Sequence, residues 1–165
     1  MKKKEFSLIT SAFSLIEILV VVSILAVLVT VGYGRFRDFS RRQALAAVVR
    51  QIEGDIRTTQ ELAIAGKKPE SVACTTLEAY KFEVSSSSAY SIYAVCAPEG
   101  DIVYKDNIEV SSNYTLGTAP SSISFLTVGR GNDAGVGYTV TVNQTATGDS
   151  NTLTVTRGGD VSISN

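Results

Sequence analysis

Nineteen consecutive positions, Phe13 to Val31 (FSLIEILVVVSILAVLVTV), carry only four polar side chains: Ser14, Glu17, Ser23 and Thr30. Such a run is apolar all round and needs an apolar medium over its whole circumference. As a helix it spans about 28 Å, close to the thickness of a bilayer's hydrocarbon core. Lys2, Lys3 and Lys4 precede it, and Gly32-Tyr33-Gly34-Arg35 follow. A secretory signal peptide has an apolar core of about 7 to 15 residues ending in small residues of the A-x-A type. The run here is longer and has no such end. A plain signal anchor fits the length but does not explain Glu17. A carboxylate in an apolar helix costs about 3 kcal/mol near the membrane centre and marks a functional site by default. Alternatively, Glu17 lies near enough to one end to reach water or take up a proton. Both readings of Glu17 stand at this level.

Length and composition bound the rest. The 165 residues suffice for one modest domain plus a membrane segment. Lys and Arg total 15 against 16 Asp and Glu, so no basic excess points to nucleic acid, and Lys67-Lys68 is too short for a DNA-binding patch. The chain has no His, which removes a Ser-His-Asp triad and the commonest general base and metal ligand. Gly129-Arg130-Gly131-Asn132-Asp133 is glycine-rich but lacks the Gly-Lys-Ser/Thr ending of a phosphate loop. Asp101, Asp106, Asn132 and Asp133 offer oxygens of the kind calcium takes, without EF-hand spacing, and read as solvated loops. Ser85 to Ser88 reads as a turn. No catalytic residue, metal site or cofactor is expected, and no enzyme; a membrane-tethered enzyme would need a cleft with perturbed titratable groups.

Cys74 and Cys96 both lie beyond the apolar run. Outside the cytoplasm they are disulfide candidates, and a bridge closing a loop of about 22 residues would stabilise by about 3 kcal/mol. Two buried free thiols are the alternative.

From Arg35 to Ala65 the pattern remains helical. Leu45, Val48, Val49, Ile52, Ile56 and Ala63 form one stripe, while Arg41, Arg42, Arg50, Asp55 and Glu61 lie mostly elsewhere. Gly66-Lys67-Lys68-Pro69 is a helix stop. The two segments make either one helix of roughly 50 residues and about 80 Å, or an anchor followed by a separate helix. Gly32 and Gly34 are the weak point, at about 1 kcal/mol each. Beyond Pro69, β-type runs are expected at Ala79–Val84, Ala89–Val95, Ile102–Tyr104, Ser121–Val128, Tyr138–Asn143, Thr152–Arg157 and Val161–Ser164, separated by turn signals. The fold class is α+β: a long helix whose second half packs on one sheet of a mainly antiparallel β head.

The stretch Ala12-Phe13-Ser14-Leu15-Ile16-Glu17, between a Lys-rich leader and a long apolar run, resembles the processing site of type IV prepilins and type II secretion pseudopilins. The resemblance covers about the first 30 residues. It implies cleavage between Ala12 and Phe13 by a prepilin peptidase and N-methylation of Phe13. It implies a pilin-like fold with four parts: a leader (1–12), a transmembrane segment (13–34), an amphipathic continuation (35–66) and a β-rich head (67–165). The family usually has Gly before the cut, where Ala12 stands here. It implies that Glu17 of an incoming subunit pairs with the terminal amine of a Phe13 already in the filament. The implied partners are other pilin or pseudopilin subunits, the peptidase, an inner-membrane assembly platform and membrane lipid. The implied location is a single-pass membrane protein with its head outside the cytoplasm, then a pilus or pseudopilus. Charge counting does not supply that orientation, since three lysines precede the run and Arg35, Arg37, Arg41 and Arg42 follow it. Arg57, Gln60 and Ala63, followed much later by Gly158-Gly159-Asp160-Val161, are similar to the minor pseudopilin H and minor pilin T branch. An adhesive or DNA-uptake minor pilin and a plain signal-anchored surface protein are the alternatives.

Overall fold

The computed structural model describes residues 14–70, 73–133 and 137–164. The chain forms two compact units, one ending at Arg41 and one beginning at Arg42. Helix α1 runs Leu15–Ala65 and belongs to both. Its backbone is helical through Gly32 and Gly34, so the glycines do not end it. Two glycines cost about 2 kcal/mol against alanine, too little to interrupt a helix of 51 residues.

The second unit is a head with its own core. Leu45, Val49, Ile52, Ile56, Thr59 and Ala63 are buried along one side of α1. Their spacings of four and three residues are those of a packed helix stripe. Thr59 fills a place that hydropathy alone would leave blank. Its Oγ1 donates to the Asp55 carbonyl at 2.7 Å, which satisfies the hydroxyl inside the helix. Each large apolar side chain buried here contributes about 1.5 to 3 kcal/mol. The helix ends in a Schellman motif: Gly66 N–H donates to the Ala63 carbonyl and Lys67 N–H to the Leu62 carbonyl, with Gly66 at φ +59°.

Eight strands follow: β1 (Thr76–Ser86), β2 (Ala89–Ala97), β3 (Gly100–Glu109), β4 (Tyr114–Ala119), β5 (Ser122–Leu126), β6 (Tyr138–Gln144), β7 (Ser150–Val155) and β8 (Val161–Ser164). They form two four-stranded sheets, β3-β2-β1-β5 and β4-β6-β7-β8, with every pairing antiparallel. Strand β6 alternates strictly: Tyr138, Val140, Val142 and Gln144 are buried while Thr139, Thr141 and Asn143 are half-buried. Between the sheets, the Phe82 ring meets the Tyr138 ring edge-on at 6.2 Å and stacks on Tyr90 at 5.0 Å. One apolar cluster joins the α1 stripe to residues of both sheets.

Strand β3 extends well beyond the expected Ile102–Tyr104, and two further stretches differ in kind. Tyr114–Ala119 forms β4, pairing Leu116 with Val142 and Thr118 with Val140. Gly117 masks it in the sequence, because an interior glycine weakens a strand signal. The run expected to reach Val128 stops at Leu126. Thr127–Gly129 is a single 3-10 turn, closed by Leu126 N–H donating to the Gly131 carbonyl at 2.9 Å. Tertiary closure overrides the β-propensity of Thr127 and Val128 there.

Candidate functional site

The first unit is mostly exposed surface, with one shallow groove at Tyr33, Phe36, Arg37, Ser40 and Arg41 among its described residues. Every described side chain from Ser14 to Thr30 and from Tyr33 to Ser40 is exposed, including Leu15, Leu19, Leu25 and Leu28. By length and composition α1 is apolar enough to cross a membrane. Its hydroxyls are satisfied from within: Ser23 Oγ donates to the Val20 carbonyl at 2.8 Å and Thr30 Oγ1 to the Ala26 carbonyl at 2.7 Å. Glu17 is different. It lies in the first turn of α1, exposed, with its N–H donating to the Ser14 carbonyl at 3.0 Å, and its carboxylate has no hydrogen-bond or ion-pair partner among the described residues. A hydroxyl can return its proton to the preceding turn. An ionised carboxylate has no proton to return and can only accept. Ala12 and Phe13 lie outside the described residues.

In the head, two polar clamps hold α1 to the sheets. Asp55 accepts from Tyr90 Oη on β2 at 2.7 Å and from Lys105 Nζ on β3 at 2.8 Å. Burial, and then the hydrogen bond to Asp55, push the Tyr90 phenol well above its ordinary range. The second clamp joins the helix to the β7–β8 turn, where Gln60 Nε2 donates to the Gly159 carbonyl at 2.7 Å. Gln60, Ala63 and Ile64 share a small cavity of about 200 Å³ with Phe125, Gly131 and Gly159. The residues grouped by resemblance to one pseudopilin branch, Gln60 and Ala63 with Gly158-Gly159-Asp160, thus meet around one joint. Arg57 instead pairs with Glu53 on the helix surface at 2.7 Å. The Asp55 clamp has only a slight sequence signal, a carboxylate one residue before the buried Ile56.

The exit from the helix is also fixed. Cys74 and Cys96 form a disulfide, which ties the segment before β1 to β2. Tyr80 Oη donates to the Lys67 carbonyl and Lys68 Nζ to the Thr75 carbonyl, both at 2.6 Å. Thr75 Oγ1 donates to Glu99 and holds its carboxyl below the usual range.

The side chains considered for calcium have other work, and Asp101 and Asp106 lie on β3 rather than in loops, because the strand pairs with β2 over Gly100–Glu109. Asp101 pairs with Lys81, Asp106 Oδ1 accepts from Ser91 Oγ at 3.2 Å and Asp133 Oδ1 from Ser124 N–H at 2.7 Å. Asn132 Nδ2 donates to the Thr156 carbonyl at 2.9 Å. Among the described residues no three carboxylates or thiols gather as metal ligands would. Ser85 to Ser88 turn the β1–β2 hairpin, with the Ser87 and Ser88 carbonyls accepting from Leu116 and Val110 N–H.

No protein-family model matches the chain, and no curated protein does. Among solved structures, it is similar to the minor pseudopilin EpsH from the type 2 secretion system of Vibrio cholerae. The TM-score is 0.55 at 8% identity, covering 73% of this chain and 95% of that one. The fold is pilin-like. At 8% identity the agreement is one of architecture, over the 73% of this chain that the match covers. Within the second unit the polar clamps concentrate where α1 meets the sheets.

Proposed function

We propose that this chain is a subunit of an envelope filament, with a type II secretion pseudopilus favoured by the pseudopilin whose architecture it shares. The single observation that carries the reading is the exposed apolar surface of α1 from Leu15 to Val29, joined in one chain to a head with a complete core of its own. An all-round apolar helix needs lipid first and neighbouring helices later, and a filament built from a membrane pool supplies both in turn. In this reading a prepilin peptidase cuts between Ala12 and Phe13, and the chain waits as a single-pass membrane protein with its head outside the cytoplasm.

Glu17 gives the assembly its register. In a mature chain the terminal amine of Phe13 and the Glu17 carboxylate are four residues apart in sequence. In an apolar surrounding an unpaired charge is heavily penalised. Only one stagger between adjacent helices brings the amine of one subunit to the carboxylate of the next, as a buried polar residue sets register in a coiled coil.

The first test is intact mass and N-terminal sequencing of protein extracted from its host's membranes. The expected mature chain begins at Phe13, with or without one methyl group. A chain beginning at Met1 in cells with an active prepilin peptidase overturns the reading. Within it, Glu17→Ala is expected to be processed normally and to assemble poorly, whereas wild-type filament yield from that variant removes the role given to Glu17.

A further inference from the structure

Arg35, Arg37, Arg41 and Arg42 follow the apolar run within eleven residues of Val31, and the proposed assembly uses none of them. They do not serve as a topological signal either. Lys and Arg collect on the cytoplasmic flank of a span, and in the proposed orientation that flank is the leader's. Every described ion pair lies at Glu53 or beyond. None of the four arginines has a hydrogen-bond or ion-pair partner among the described residues.

One face of the first unit gathers part of this charge. Tyr33, Phe36, Arg37, Ser40 and Arg41 line a shallow groove, at spacings that place them on one side of a helix. The rings of Tyr33 and Phe36 are 63% and 68% exposed. Height, direction and chemistry together specify an occupant. Arg37 stands six residues past Val31, about 9 Å along the axis, in the layer where headgroups flank the hydrocarbon core. The Cα–Cβ bonds of a helix tilt toward its N-terminus, so the arginine side chains leave the backbone toward the apolar run. Two guanidiniums one turn apart present planar donor forks that match phosphate oxygens, and a tyrosine just beyond a span is the ordinary interfacial anchor.

We propose that this groove binds the phosphate headgroup of an anionic membrane phospholipid, held by Arg37 and Arg41 above Tyr33 and Phe36. The inference rests on the membrane-anchored reading of α1. It gives the unassembled subunit a preferred depth and a preferred lipid, and it explains cations on the flank where topology does not call for them.

The test uses the full chain, extracted in mild detergent and titrated with phosphatidylglycerol or phosphatidylcholine, with retained lipid read by native mass spectrometry. Wild type is expected to retain phosphatidylglycerol preferentially. Arg37→Gln/Arg41→Gln is expected to lose that preference roughly 25-fold, about fivefold for each charge near the membrane surface. Arg37→Lys/Arg41→Lys should keep part of it, which separates lost charge from a damaged helix. Equal retention of both lipids by wild type overturns the inference, as does an unchanged preference in the glutamine variant. Retention of the wild type in membranes after an alkaline wash is scored separately. A chain that washes off overturns the membrane-anchored reading, whereas one that stays embedded without lipid preference overturns only the inference.

Discussion

Gln60 Nε2 donates to the Gly159 carbonyl at 2.7 Å across 99 residues of sequence, tying the last turns of α1 to the turn between the final two strands. Gly159 sits at φ +93°, and a Cβ there would lie 3.3 Å from Gln60 Nε2. The backbone conformation and the approach of the side chain therefore both call for glycine.

Gln60→Leu is expected to destabilise the head by about 1 to 3 kcal/mol, because the part-buried Gly159 carbonyl loses its donor. Gly159→Ala should cost at least about 1 kcal/mol through its left-handed backbone. For a head of this size each kcal/mol lowers Tm by about 4 °C. Thermal unfolding of the full chain in detergent, followed by far-UV circular dichroism, reads both. If the joint is real the double variant costs less than the sum of the singles, and strict additivity would show that the two residues do not interact.

Reduction probes the other end of the helix–sheet connection. The Cys74–Cys96 bridge closes a separation of 22 residues and restrains the unfolded chain by about 3 kcal/mol in the loop-entropy account. Cys74→Ser/Cys96→Ser is therefore expected to lower Tm by about 12 °C, and a reductant should reproduce the shift in wild type while leaving the variant unmoved. A reductant effect on the double variant would place its cause elsewhere.

How far the sequence discloses this molecule depends on the range of the interaction. The helix stripe from Leu45 to Ala63 and the alternation of β6 are local periodicities, and both are legible. Thr59 is not, because hydropathy does not register that its hydroxyl is satisfied at the Asp55 carbonyl. Strand β4 is obscured by Gly117, although Tyr114 and Leu116 alternate as buried residues should. The two clamps differ instructively. Gln60 and Gly159 stood out through resemblance to a pseudopilin branch. Asp55 did not, since its partners Tyr90 and Lys105 lie 35 and 50 residues away and meet it only once the register of β2 and β3 is set. Of the candidate assembly site, Glu17 was legible as an anomaly in an apolar run. That its carboxylate has no partner among the described residues became evident only beside Ser23 and Thr30, whose hydroxyls bond to their own helix.

Val128 is a β-branched residue at φ +63°, and it is 81% exposed. The left-handed conformation costs such a residue about 1 to 2 kcal/mol, and so little contact is buried that none of it offsets the strain. Val128→Gly relieves the strain at some cost in unfolded-state entropy and is expected to raise Tm by about 4 °C. A lower Tm would mean that the isopropyl group makes contacts worth more than the strain.

Alkaline pH tests the core directly. The phenols of Tyr80, Tyr90 and Tyr138 are all held above the ordinary tyrosine value, in each case chiefly by burial. With folded values raised, their contribution is complete below about pH 10 and is lost as pH climbs, because only the unfolded chain then releases the protons. Tyr90 and Tyr138 should each subtract about 1.4 kcal/mol per pH unit above that point, so Tm should fall steeply between about pH 10 and 12. Tyr90→Phe and Tyr138→Phe are each expected to make that fall shallower. At neutral pH the same two variants should part. Tyr90 Oη donates to Asp55, and losing a bond to a charged group costs about 2 kcal/mol. Tyr138 Oη is buried with no hydrogen-bond partner among the described residues, so removing it should be neutral or stabilising by up to about 2 kcal/mol. Measuring Tm for both variants at pH 7 and pH 11 decides the matter. A destabilised Tyr138→Phe at pH 7 would show that its hydroxyl has a partner after all, and an unchanged alkaline slope in both variants would assign the transition to other groups.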